Sequence, residues 1–290
     1  MDYIEKFLKY LKIIKKDSNY TIVNYKEDLS ELYDFYNDLL NIDEMIVREY
    51  LEYLYHKGLN RNSISRKLSA IRSFYNYLIK EDIIKTNYFK EISNPKKAKI
   101  LPKYAKDNDL EKMFNCFDKS NALDQRNSLI IEMLYATGVR VGELVNIKII
   151  DIDKYNNSIR IFGKGSKERI VFFGSFCEDA LNLYLNDGRN KLLKSKDNDY
   201  LFINKNGTRL SSRYIRKIIN ELVKKCEVDY HISPHTLRHT FATDLLNNGS
   251  DLMSVKELLG HSTLNTTSIY THVSNEQIKK VYNFAHPRAK

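Results

Sequence analysis

From the N-terminus to about residue 92 the apolar positions recur at steps of three and four, with charged and polar residues between them. Ile4, Leu8 and Leu11, then Leu29, Leu32, Tyr33 and Tyr36, keep helical spacing, and Gly58 is the only glycine before residue 138. So few chain-breaking residues predict helices joined by few tight turns. In residues 57–80, Ile64, Leu68, Ile71, Tyr75 and Leu78 define an amphipathic helix over 63–79, with Ser63 as its N-cap and Arg66, Lys67 and Arg72 on its other faces. The pattern breaks at SNPKKAKILPKY, residues 93–104, where two of the four prolines flank three lysines. Beyond it the helical segment RNSLIIEMLYATG gives way to IDIDKYNNSIRIFGKGSKERIVFF, whose short apolar runs are separated by the turn-rich clusters KYNN and GKGSKE. That pattern predicts an antiparallel sheet of about three strands. Helical spacing returns from about Cys177 to the end, interrupted by NKNGTRLS. The fold class is therefore mainly α with a small antiparallel sheet, α+β. Its organisation is an all-helical domain over 1–93, a linker over 94–104 and a second domain over 105–290.

Composition narrows the setting. A chain of 290 residues favours two domains. With 42% hydrophobic and 29% charged residues, and no apolar run near the 18 or so that a membrane span needs, it reads as a soluble, cytoplasmic protein. The opening MDYIEKFLKYLKIIKKD has charges at helical spacing and no signal-peptide core. Cys116, Cys177 and Cys226 are odd in number and far apart, which suggests neither a disulfide framework nor a zinc site.

A net charge of +10 points to a polyanionic partner, and the distribution of charge sharpens this. Residues 1–56 hold seven Lys/Arg against twelve Asp/Glu, whereas residues 57–80 hold six Lys/Arg and no acid. A basic helix is usually a solvated face. The lack of interleaved acids favours phosphate contact by Arg66, Lys67 and Arg72.

Four segments carry candidate chemistry. In PHTLRHTFATDLL, Pro234 suits the first position of a helix, so His235 and Arg238 share one face while Leu237, Phe241 and Leu245 form a separate core stripe. His235 is either structural or, with Arg238, part of an anion site, because a guanidinium fork matches phosphate oxygens. In YATGVRVGEL, Gly138 permits a sharp reversal that leaves Arg140 at a helix junction, paired with Glu143 or turned to a ligand. In GKGSKER, Lys164 sits between two glycines in a hairpin turn that lacks the Walker A spacing. In LGHSTLNTTSIYTHV, Gly260 is a helix C-cap before His261, and Asn265 or Ser262 starts a helix carrying Tyr270. Taken alone, Tyr270 is one aromatic among 21 tyrosines.

In this order and these contexts, Arg140, Lys164, His235, Arg238, His261 and Tyr270 resemble the active site of the tyrosine recombinase (phage-integrase-like) family. The resemblance spans nearly the whole chain. The closing KVYNFAHPRAK and the compact length are similar to the Xer subfamily, and Gly142 stands where many relatives have Ser. The resemblance implies a SAM-like N-terminal DNA-binding domain and a catalytic domain that close on duplex DNA as a C-shaped clamp. It implies Tyr270 as the nucleophile forming a 3′-phosphotyrosyl intermediate, with Arg140 and Arg238 on the non-bridging oxygens. Lys164 would protonate the leaving 5′ oxygen, and His235 and His261 would assist proton transfer. Neither a metal nor another cofactor is expected. A tetramer on two DNA sites is implied, either of four like protomers or shared with a second Xer-type recombinase. The segment after Tyr270, with an apolar edge of Ile278, Val281 and Phe284, would dock on a neighbour or pack on its own domain, the resemblance favouring the neighbour. Resolution of chromosome dimers is the implied task. Integration by a phage or transposon enzyme, relaxation by a type IB topoisomerase, and a purely architectural DNA-binding role are the alternatives.

Overall fold

The computed structural model describes residues 2–92, 104–163, 168–194, 197–260 and 275–289. The chain divides into two compact units, residues 1–100 and 101–290, each with its own apolar core. The segment expected as a linker lies outside the described residues up to residue 103.

The first unit consists of α1 (Asp2–Ile13), α2 (Asn19–Phe35), α3 (Glu44–His56) and α4 (Arg61–Lys80), followed by a 3-10 turn at Tyr88–Lys90. Helix α4 buries the whole stripe that its spacing predicts, Ile64, Leu68, Ile71, Tyr75 and Leu78, together with Phe74, whereas α1 buries Ile4, Leu11 and Phe7 with Leu8 half-buried, and α2 buries Leu29 and Leu32 with Tyr33 and Tyr36 half-buried. Helix α4 starts earlier than expected. Asn60, not Ser63, is its N-cap, and the Asn60 side chain accepts the Ser63 backbone N–H at 2.9 Å. Both residue types cap well, so spacing alone did not distinguish them.

In the second unit α5 (Asp107–Asn115) leads to α6 (Ala122–Thr137), which buries 11 of its 16 residues and has no polar stripe. Such a helix lies inside the unit with other elements around it. After the short α7 (Val141–Leu144) come β1 (Ile152–Asp153), β2 (Ser158–Phe162) and β3 (Glu168–Phe172). They form the expected three-stranded antiparallel sheet in the order β1-β2-β3, and Phe162 opposite Glu168 closes one end of the β2-β3 pair. Next are α8 (Ser175–Leu183), a single π turn over Tyr184–Gly188, α9 (Arg189–Leu193) and α10 (Ser212–Lys225). The last described helices are α11 (Pro234–Asn247), α12 (Leu252–Leu259) and α13 (Asn275–Ala285).

Helix α13 packs on its own unit. Ile278, Tyr282 and Ala285 are buried with Phe172, Phe241, Leu245, Val255 and Leu258. The buried face runs through positions 278, 282 and 285, and Phe284, from the expected apolar edge, is 78% exposed. Beyond α13, His286 is buried among the rings of Tyr135, Phe241 and Tyr282, and the Arg288 guanidinium pairs with buried Glu132 between the rings of Phe114 and Phe176. His286 thus has a structural role.

Candidate active site

Gly138 ends α6 in the left-handed region at φ +60°, and a Cβ there would meet the Phe241 ring at 2.5 Å. Only glycine fits both the turn and the contact. The reversal places Arg140 directly before α7. There the Arg140 backbone N–H donates to Glu143 Oε2 at 2.8 Å, and Arg140 Nη1 donates to Glu143 Oε1 at 3.0 Å. A second arginine reaches the same carboxylate. From β3, Arg169 donates Nη1 to Oε1 at 3.0 Å and Nη2 to Oε2 at 2.8 Å. Burial pushes the Glu143 carboxyl up, but the hydrogen bonds from Arg169 and Arg140 outweigh this and hold it below its ordinary value.

Helix α11 supplies the opposite side. Ser233 caps it, accepting the Thr236 backbone N–H at 3.2 Å, and Pro234 stands at its first position, where a missing N–H costs nothing. Leu237, Phe241 and Leu245 are fully buried, as their stripe predicts. Arg238 is also buried, and its guanidinium donates to the carbonyls of Gly138 and Leu259. Those carbonyls are the negative ends of α6 and α12, so one cation serves two helix termini. Because Gly138 lies two residues before Arg140, the bond brings the two arginines together across 100 residues of chain. Burial and the nearby Arg140 charge lower the Arg238 pKa to about 10, which leaves it protonated at neutral pH. His235, three residues earlier on α11, is exposed.

Lys164, His261 and Tyr270 lie outside the described residues. Two of them have described neighbours in sequence: Lys164 falls between β2 and β3, and His261 follows Gly260. Gly260 is the left-handed C-cap of α12 at φ +65°, as expected, and its missing Cβ leaves room for the Arg169 side chain, which a Cβ would meet at 2.8 Å.

The basic helix α4 differs from its sequence reading. Lys67 is buried and donates to Asp28 at 3.0 Å and Glu31 at 2.8 Å, while Arg66 forks onto the same fully buried Asp28. Arg72 donates to the backbone carbonyls of Phe89 at 2.8 Å and Ile92 at 2.6 Å. The acids missing from residues 57–80 are supplied by α2, and no window on α4 could show them. Lys67 and Arg72 are therefore engaged in internal bonding, while the side chain of Arg66 is 45% exposed. An open basic surface occurs instead on α10, where Arg213, Arg216, Lys217 and Lys224 line a shallow depression with Asn220 and Glu221. Ile215, Ile218, Ile219, Leu222 and Val223 bury the other face. Spacing of these four cations along one helix was a readable signal.

A model of the phage integrase family matches residues 103–277, and one of the phage integrase N-terminal SAM-like domain matches residues 4–82. The chain belongs to the phage integrase family. Within it, this chain is 45% identical to tyrosine recombinase XerC of Bacillus licheniformis over 99% of its own length and 97% of the relative's. It is 44% identical to XerC of Bacillus subtilis over 99% and 97%. Among solved structures, XerH bound to palindromic difH substrate in a post-cleavage complex matches with a TM-score of 0.70 and 26% identity, over 97% of this chain and 94% of that one. Two features of the candidate site were not foreseen: Arg169 as the second partner of Glu143, and the basic face of α10. The first left no trace in local sequence, because its partner lies 26 residues away.

Proposed function

We propose that this chain is a Xer-type site-specific DNA recombinase that cuts and rejoins duplex DNA through Tyr270, and that its task is the resolution of chromosome dimers. The observation that carries the catalytic reading is the docking of Arg238 on the Gly138 carbonyl, which gathers Arg140 and Arg238 at one place from distant parts of the chain. Two guanidinium groups in a partly desolvated setting suit the extra negative charge of a pentacoordinate phosphorus, and preorganised cations of this kind supply the largest catalytic contribution in many enzymes.

In this scheme the Tyr270 oxygen attacks the scissile phosphorus. A P–O bond forms as the bond to the 5′ oxygen breaks, and that oxygen takes a proton from Lys164. The products are a 3′-phosphotyrosyl linkage and a free 5′ hydroxyl. Attack by a 5′ hydroxyl reverses the step, so the bond energy is retained and no nucleotide is consumed. His235 and His261 hold the phosphate oxygens and exchange protons with the tyrosine. A tyrosine with an ordinary pKa of about 10 is almost wholly protonated at neutral pH, so the cationic surroundings also favour the attacking phenolate. The match to XerC relatives over nearly the full chain supports the Xer reading over an integrase of a mobile element. Double-stranded DNA is the partner, held by the basic face of α10 with Arg66 as a further contact. Two units closing on the duplex as a clamp, and four protomers on two sites, complete the proposal.

The test is a nicked suicide duplex that traps the covalent complex, compared for the wild type and Tyr270→Phe. Wild type should accumulate a protein–DNA adduct that Tyr270→Phe never forms at equal DNA occupancy. An adduct persisting in the variant, or none in a wild type that binds the DNA, would overturn the assignment.

A further inference from the structure

The Glu143 carboxylate lies between two guanidinium groups, and the chemistry proposed above accounts for only one of them. Arg140 is the side of the pair that the phosphate would use; its side chain is 41% exposed. Arg169 is withdrawn, with a side chain 14% exposed, spends both terminal nitrogens on Glu143, and packs against Gly260. A half-exposed arginine bound to one carboxylate forms a neutral pair that has little remaining attraction for a phosphate. A second buried guanidinium on that carboxylate changes the balance. Arg140, Arg169 and Arg238 with Glu143 carry two net positive charges, and removing Arg169 leaves one.

We propose that Arg169 is a positioning residue for strand cleavage, neutralising Glu143 so that Glu143 orients Arg140 without cancelling its charge toward the scissile phosphate. Glu143 then acts as an oriented acceptor. It fixes the Arg140 backbone through the N–H bond and the side chain through Nη1, while the Coulomb attraction that would hold Arg140 away from the DNA is met by Arg169. Position serves the same end. Arg169 is the second residue of β3 and touches Gly260, the C-cap of α12, so a single side chain sets the sheet, the α7 junction and the α12 terminus in register. In sequence, Lys164 lies between β2 and β3, and His261 follows Gly260.

The inference rests on the proposed role of Arg140 at the phosphate, and a charge-restoration experiment separates the two. Single-turnover adduct formation on the suicide duplex is measured at saturating DNA for the full-length wild type, Arg169→Gln, Arg169→Lys and the double variant Arg169→Gln/Glu143→Gln. DNA affinity and thermal unfolding are recorded in parallel. Loss of one preorganised charge should slow Arg169→Gln by about 10- to 100-fold with little change in affinity. Arg169→Lys, which keeps the charge and loses the fork, should stay within about tenfold of wild type. The double variant removes one charge of each sign and restores the net balance, so it should cleave faster than Arg169→Gln alone. A purely structural arginine predicts the reverse, because a second change in the same bonded set would only add damage. The proposal fails if Arg169→Gln cleaves at the wild-type rate, or if the double variant is no faster than the single one. Should Arg169→Gln not fold, Arg169→Lys decides, and a rate more than about 100-fold below wild type would overturn the charge role. A wild type that binds without forming adduct would overturn the phosphate reading, and this one with it.

Discussion

Arg238 shows how much of a site can hang on one side chain. Its guanidinium satisfies the carbonyls of Gly138 and Leu259, so Arg238→Lys would leave one buried acceptor without a partner and shift the α6 end that carries Arg140. Adduct formation by that variant should fall by about 10² to 10³, measured at saturating DNA, with binding affected far less. His286 gives a second test. Its Nδ1 accepts the Arg288 backbone N–H at 3.2 Å, which requires a neutral ring, and burial lowers its pKa to about 3. A histidine depressed in the folded state contributes stability that is whole above its unfolded pKa of about 6.5 and declines as pH falls toward the folded value. Between pH 7 and pH 5 the loss should be about 2 kcal/mol. Denaturant unfolding of His286→Phe at both pH values should show a shallower pH dependence than the wild type. At this scale the sequence was legible wherever a residue's role depends on its own backbone: Gly138, Pro234 and Gly260 sit as their types demand. It was not legible for Arg169, whose role depends on a carboxylate reached only through the tertiary fold.

Among the elements, the contrast between α4 and α10 is instructive. Both carry several cations at helical spacing, and only the neighbours distinguish them. On α4, Lys67 lies against Asp28 and Glu31, so Lys67→Ala would leave the buried Asp28 carboxylate and the half-buried Glu31 short of a partner. Breaking such a pair costs about 3–5 kcal/mol, and equilibrium unfolding should show it, with an unchanged salt dependence of DNA binding. On α10 the opposite is expected. Replacing Arg213, Arg216 and Lys224 by Ala should leave stability within about 0.5 kcal/mol for each exposed site while flattening the plot of log affinity against log salt by about 0.9 per lost phosphate contact. An unflattened slope would remove α10 from the DNA-facing surface. Helix positions and core stripes were readable because periodicity is local. The assignment of charge to solvent, partner helix or DNA was not, because α2 supplies the acids that α4 lacks.

For the molecule as a whole, the division into a helical unit and a mixed unit with a three-stranded sheet follows from the pattern of apolar positions and from the proline-flanked break. What the pattern leaves open is how the second unit closes on itself. Ala105 donates to Thr240, Arg238 binds Gly138, and Arg288 binds Glu132, so its first and last segments hold each other. Arg288→Ala should therefore cost about 3–5 kcal/mol, because burial already pushes the Glu132 carboxyl up and Arg288 only partly offsets it. A chemical melt that detected less than 1 kcal/mol would show that the Glu132 site relaxes to water.

Glu132 and Arg288 are 156 residues apart, which also orders events during synthesis. At about 5–20 residues per second a ribosome needs roughly 10–30 s to travel from one to the other. Throughout that interval α6, most of it destined for the interior, has an acid without its counter-charge. The first unit, whose bonds among the described residues reach as far as Ile92, is synthesised much earlier. A nascent chain halted before Arg288 would thus present a folded N-terminal unit beside an unfinished catalytic one, open to chaperones and proteases and without the paired arginines fixed in place.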